Sequence, residues 1–160
     1  MTMTGSFDLA ASITRMRLFG TDIQNIEVKS AARELPKSIV ETISAFANGS
    51  GGTIICGVSE KGGFLPVDGF DVKRTVDALA NLCSEKLEPP VRADIQIESL
   101  EGSLVVVAHI PEVPPYLKPC YVKACTPYDG SFIRTGDGDR RLGRYEVDRI
   151  LENRHQPQWD

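Results

Sequence analysis

Three acidic side chains, Asp22, Glu27 and Glu60, are of a type and order that could do chemistry. Glu27 and Lys29 stand two apart in an alternating segment, NIEVKSA at residues 25–31, so on a strand they share a face. That face is too polar to be core alone. Glu60 follows the apolar segment at residues 53–58, the C-terminal end of an expected central strand. If the two strands are neighbours, the carboxylates converge. Such a cluster can hold Mg2+ or Mn2+, and the ion can activate water against a phosphodiester. The plainer alternative is solvated surface acids, with Glu27 paired to Lys29 or to an arginine. Spacing alone favours that alternative.

A second group is cationic. Lys118, Lys123, Arg134, Arg140, Arg141 and Arg144 fall on late strands and loops, interleaved with Tyr116, Tyr121, Tyr128 and Phe132. Cations can contact phosphates while an aromatic ring stacks on a base. The competing account is an ordinary charged edge with salt bridges to Asp137 and Asp139, and on local pattern it is modestly ahead. The net charge of −4 excludes a protein that coats nucleic acid through bulk charge. The charge is uneven, however. Residues 1–115 carry 10 basic and 15 acidic side chains, and residues 116–160 carry 8 basic and 7 acidic. A local basic face on an acidic domain is therefore open.

Other chemistries are excluded. The glycine turn GSGG at residues 49–52 follows a helical segment and precedes a strand. A phosphate-binding loop needs the reverse order, so that a helix N-terminus faces the anion, and the lysine of a Walker loop is missing. The glycines instead allow a tight reversal and close backbone packing. The four cysteines, Cys56, Cys83, Cys120 and Cys125, form no CxxC pair and have no histidine at zinc-finger spacing. They read as free thiols of a reducing compartment, the cytoplasm. His109 sits inside an apolar strand as a core histidine, His155 lies in the tail, and no Ser/His/Asp or Cys/His arrangement is present. The longest apolar run, residues 104–110, is far shorter than the roughly 20 residues of a membrane helix.

The elements that must position these residues follow from periodicity. A weak helical pattern covers residues 9–18 and stops at Gly20. After the strand at 25–31, Pro36 suits a first helical turn, and Ile39, Ile43, Phe46 and Ala47 make one buried face. That helix is expected to stop at Asn48-Gly49 in a left-handed cap, before a strand at 53–58. A turn at 59–63 leads to a loop or short hairpin arm at 64–70. Asp71 caps a helix with an apolar stripe at Val72, Val76, Leu79, Cys83 and Leu87. Residues 92–100 and 103–110 form a hairpin around Glu101-Gly102. An extended proline-rich loop covers 111–119, and short strands at 121–124 and 131–135 flank a turn at 127–130. A polar loop at 136–141 and a helix at 144–153 complete the order. This mixture predicts an α+β fold, a single mixed sheet with helices packed on one face, plus an added C-terminal hairpin and helix.

The motifs together resemble the Schlafen AlbA-like domain, labelled DNA-binding and formerly called a "divergent AAA" domain. Four blocks carry the likeness: IEVKSA at 26–31, ISAFANGSGGTIICGVSEKG at 43–62, VVVAHIPEVPPYLKPCYVKA at 105–124 and FIRTGDGDRRLGRYEV at 132–147. The resemblance implies an Alba-like core and contact with nucleic acid, DNA rather than RNA, in a transcription-regulator-like protein. It divides the chain into an N-terminal extension at 1–20, the domain at 21–153 and a tail at 154–160 that reads as a linker to further domains. It also implies a homodimer, by analogy with Alba proteins; no cofactor is expected outside the nuclease alternative. Some Schlafen proteins cut RNA with three carboxylates. Asp22, Glu27 and Glu60 fall where those stand, with Asp for Glu at 22, Val for Phe at 28 and Glu for Asp at 60. In that alternative they bind Mg2+ or Mn2+, and Lys29 lies near the scissile phosphate. A third alternative, consistent with the acidic balance, is a protein-interaction or dimerisation module.

Overall fold

The structure is a computed structural model that describes residues 7–21, 23, 25–136 and 138–154. Asp22, Asp137 and His155 lie outside the described residues. A four-stranded mixed sheet runs in the order β1 (Ile26–Lys29), β2 (Gly52–Cys56), β7 (Ser103–Ile110) and β6 (Asp94–Leu100). β1 is parallel to β2, and the other pairs are antiparallel. The strand expected at 53–58 is broken by Gly57, whose φ is +98°. Beyond it, β3 (Val58–Ser59) pairs with β4 (Leu65–Pro66).

Two helices cover one face of the sheet. α2 (Ile39–Asn48) and α3 (Val72–Glu85) pack Ile39, Ile43, Phe46, Leu79 and Cys83 against Ile54, Cys56, Val106 and Ala108. Asp71 caps α3 by accepting the Arg74 N–H at 3.0 Å, as its type predicts. The opposite face is not bare, contrary to the one-faced arrangement expected. α1 (Leu9–Phe19) lays Leu9, Ile13 and Met16 on Ile26, Val28, Ile55, Val105 and Val107. β2 and β7 are apolar on alternate residues of both faces, so both faces need cover.

Glycine shapes the α2–β2 reversal at two positions. Gly51 carries the left-handed φ of +85°, and a Cβ there would meet the Ile110 carbonyl at 2.7 Å. At Gly52 a Cβ would strike the Phe46 ring at 2.5 Å. The left-handed residue is thus Gly51 rather than Gly49, whose φ is −91°. Gly51 closes the turn by donating its N–H to the Phe46 carbonyl at 2.9 Å.

The C-terminal part forms a separate layer outside α2. β5 (Leu87–Glu88) pairs with β8 (Tyr121–Val122), and a short helix, α4 (Pro127–Gly130), follows. β9 (Phe132–Thr135) pairs with β10 (Gly138–Arg141), and α5 (Arg144–Arg154) closes the domain. β10 replaces the polar loop expected at 136–141. Its residues are polar because it has one partner and a solvated face, so no apolar alternation announces it. α2 is consequently buried on both sides, with Thr42, Ser44 and Asn48 facing the added layer.

Cys56, Cys83 and Cys120 are buried, and burial pushes their thiols up to about 12, 11 and 12. Raised thiol values mean protonated, unreactive sulfur at neutral pH. Cys125 is exposed. Alkylation of the native protein at pH 7 should label Cys125 alone, and unfolding should release all four. Mass spectrometry of the labelled chain checks this.

Candidate functional site

Glu27 on β1 is a buried carboxylate with a cation on each oxygen. Arg134 Nη1 lies 2.7 Å from Oε1, and Lys29 Nζ lies 3.0 Å from Oε2. Arg134, on β9, is itself buried, its side chain 5% exposed. Its Nη1 also pairs with Asp139 Oδ1 on β10 at 3.1 Å, and its Nη2 donates to the Ile26 carbonyl at 3.2 Å. Thr42 on α2 donates to Asp139 Oδ2 at 2.6 Å, and the guanidinium carbon lies 5.2 Å from the Phe46 ring centre. Burial penalises the Arg134 charge, but the hydrogen bonds to Glu27 and Asp139 outweigh it and hold its pKa above the ordinary value. Five side chains therefore tie the sheet, α2 and the C-terminal hairpin together.

This arrangement separates the sequence candidates. Glu27 and Lys29 do share a face, and Glu27 pairs with both expected partners, Lys29 and an arginine, but it is buried rather than a solvated surface acid. Glu60 is exposed on the turn after β3, where its carbonyl accepts the Gly63 N–H at 3.1 Å. Among the described residues no three His, Cys, Asp or Glu side chains form a metal-binding group. With its oxygens at 2.7 and 3.0 Å from two cations, Glu27 is not presented as a metal ligand. Asp22, the third carboxylate of that alternative, lies outside the described residues.

A second buried polar cluster holds the same layer. Asn48, the last residue of α2, accepts the Cys120 N–H at 2.7 Å and donates to the carbonyls of Cys120 and Phe132 at 2.8 and 2.9 Å. Ser44, one turn earlier, donates to the Cys120 carbonyl at 2.8 Å and accepts the Phe132 N–H at 3.1 Å. The sequence marks Asn48 as a helix stop. Its larger role is to satisfy backbone groups of two distant segments. The signal available was a polar residue following the buried stripe of α2.

The layer so held presents cations outward, several of them against rings that are buried, half-buried or exposed. Arg141 lies 5.9 Å from the Phe132 ring centre, and Arg144 lies 4.3 Å from that of Tyr128. Both arginines are exposed. The Tyr128 hydroxyl donates to Asp148 at 2.6 Å, which fixes the ring. Arg149 covers Tyr145 at 5.1 Å, and Tyr145 is 72% exposed. This last pair was not among the sequence candidates; its four-residue spacing on one helix is the signal that could have found it. Arg140 is held by Glu146 through two contacts at 3.1 and 3.3 Å. Glu146 also accepts the Gly143 N–H at 2.8 Å, and Arg140 with that bond keeps its carboxyl below the usual range. Lys118 is paired with Glu112 at 2.7 Å, and Lys123 is exposed. Of the six expected phosphate-binding cations, then, Arg134 is turned inward as a structural ion, while Lys123, Arg141 and Arg144 face solvent.

Comparison with known proteins agrees with this architecture. The family described as Schlafen, AlbA_2 matches residues 22–143. α1 lies before that segment yet packs on its sheet. The solution structure of the N-terminal domain of an ATP-dependent DNA helicase RecG-related protein from Nitrosomonas europaea is similar, with 30% identity and a TM-score of 0.60. The match covers 83% of this chain and 92% of that one. The DIP2311 protein from Corynebacterium diphtheriae shares the fold at 18% identity and a TM-score of 0.56, over 86% of this chain and 25% of its own. Comparison with curated proteins gave no match.

Proposed function

Because the chain belongs to the Schlafen, AlbA_2 family, we propose that it is a nucleic-acid-binding module, for DNA in preference to RNA, of a transcriptional regulator. The observation that supports this reading best is the outward face of the C-terminal hairpin and α5, where Arg141 and Arg144 lie against aromatic rings beside exposed Lys123. Arginines held over rings are pre-ordered, so less side-chain entropy is lost when they meet a phosphate. The neighbouring Asp and Glu side chains do not neutralise this face evenly. Arg140 is paired with Glu146, whereas no carboxylate lies within salt-bridge reach of Arg141 or Arg144 among the described residues.

The buried state of Glu27 supports binding rather than cleavage. Its carboxylate serves the Arg134 and Lys29 charges. A homodimer, as in Alba proteins, would place two basic faces on one duplex, and the cytoplasm suits the free thiols.

Binding to short duplex DNA, single-stranded DNA and RNA across a salt series tests the proposal. Affinity should fall steeply with salt, and duplex DNA should bind tightest. Replacing Arg141 and Arg144 together by alanine should reduce the salt slope by about 1.8, roughly 0.9 for each phosphate no longer neutralised, with little change in sequence preference. Arg140→Ala should weaken binding less, because Glu146 already holds that charge. Absence of binding at low salt, or a double variant that binds like the parent, would overturn the proposal.

A further inference from the structure

The two edges of the main sheet are unlike. β1 is four residues long, whereas β6 is seven and pairs with β7 in unbroken register from Asp94↔His109 to Leu100↔Ser103. No further strand pairs with β6 among the described residues. Proteins blunt such edges with lysine, proline or a bulge. β6, DIQIESL, has none of these, and the charges it does carry are two acids, Asp94 and Glu98. The hairpin turn has both residues at positive φ, +53° at Glu101 and +84° at Gly102, the geometry of a two-residue turn that closes on a hydrogen-bonded pair. Bonding then alternates along β6. Leu100, Glu98, Gln96 and Asp94 bond inward to β7, and Ile95, Ile97 and Ser99 aim their N–H and C=O groups outward. Beside these groups lie two exposed apolar side chains on one face, Ile97 at 54% and Leu104 at 57%.

We propose that β6 is a self-pairing edge, on which a second copy of this chain docks antiparallel with the two-fold axis at Ile97. The sequence of the strand selects that occupant and that register. Pairing that keeps the two sheets' faces continuous sets residues of equal parity opposite each other. Centred on Ile97, Gln96 opposes Glu98, Ile95 opposes Ser99, Asp94 opposes Leu100, and Ile97 meets its own copy. Centred on Gln96, Asp94 opposes Glu98. Centred on Glu98, that carboxylate opposes itself. Like charges directly opposite are destabilising. The Ile97 register alone uses the whole strand and sets no acid against acid. It also joins Ile97 and Ile95 of both copies into one apolar strip beside α3. The proposal is independent of nucleic-acid binding and is tested without nucleic acid.

The test uses the full chain with Cys125→Ser, so that no exposed native thiol competes. Light scattering should show a dimer that dissociates on dilution. Ile97→Cys should form a disulfide-linked dimer on mild oxidation, because residues opposite each other in a hydrogen-bonded pair lie about 5.5 Å apart at Cα, within disulfide reach. Asp94→Cys should not, because its two copies would stand about 20 Å apart along the strand. Ile97→Lys sets two like charges on the axis and should raise the dissociation constant about tenfold or more, with the circular dichroism spectrum kept. A monomer at every concentration, a dimer that Ile97→Lys leaves intact, or equal crosslinking through both cysteines would overturn the proposal.

Discussion

Replacing Arg134 by alanine is expected to destabilise the fold by about 3–5 kcal/mol, seen as a lower urea midpoint at unchanged slope. The size follows from what the substitution leaves behind. Glu27 and Asp139 have side chains only 11% and 16% exposed, and both lean on the one guanidinium. Without it, two carboxylates face each other across a gap too dry to solvate them. Arg134→Lys should recover only part of the loss. A lysine is a point charge, whereas Arg134 uses separate nitrogens for the Glu27 carboxylate and the Ile26 carbonyl. Combining Arg134→Ala with Glu27→Gln should cost less than the two changes added, because removing both charges leaves less to desolvate. A strictly additive double variant would show that the pair is not coupled.

Asn48→Leu is the second large effect, expected at about 3 kcal/mol or more. Leucine is close in volume but satisfies none of the Cys120 N–H, the Cys120 carbonyl or the Phe132 carbonyl. Each buried group left without a partner costs roughly 1–3 kcal/mol. Ser44 still reaches the Cys120 carbonyl, which limits the loss. Asn48→Asp is the sharper probe. It keeps the acceptor for Cys120 but replaces the amide nitrogen that donates to two carbonyls with an oxygen facing both, so it should destabilise at neutral pH despite matching the shape. Thermal unfolding at pH 7 reads both variants. If either unfolds with the parent, the amide is not the fastening described.

Much of this architecture is legible in the sequence, for local reasons. Asp71 caps α3 through its own backbone neighbours, and the β6–β7 hairpin announces itself by two runs around Glu101-Gly102. The stripe of Ile39, Ile43, Phe46 and Ala47 gives the sheet-facing side of α2. What was not legible depends on partners far along the chain. The second buried side of α2 is polar, so its burial cannot be read without β9 and β10. The ladder of β10 is likewise set by β9 rather than by its own pattern. The candidate site divides the same way. Glu27 beside Lys29 follows from alternation. Which arginines point outward does not, because Arg134 and Arg141 occupy one short hairpin with the same residue type and have opposite fates.

The fastening of the C-terminal layer also sets an order on synthesis. Arg134 stands 107 residues after Glu27, and Phe132 stands 84 after Asn48. While the ribosome is still making the first hundred residues, the four strands of the main sheet have yet to be completed by β7. Through that interval the outer side of α2 carries Thr42, Ser44 and Asn48 with their later partners not yet made. Those side chains are polar and remain hydrated during the wait, where leucines would have offered nascent chains a sticky surface. The hairpin arrives after the main sheet's strands and replaces water with matched donors and acceptors, so the layer that carries the exposed arginines is fixed after that sheet.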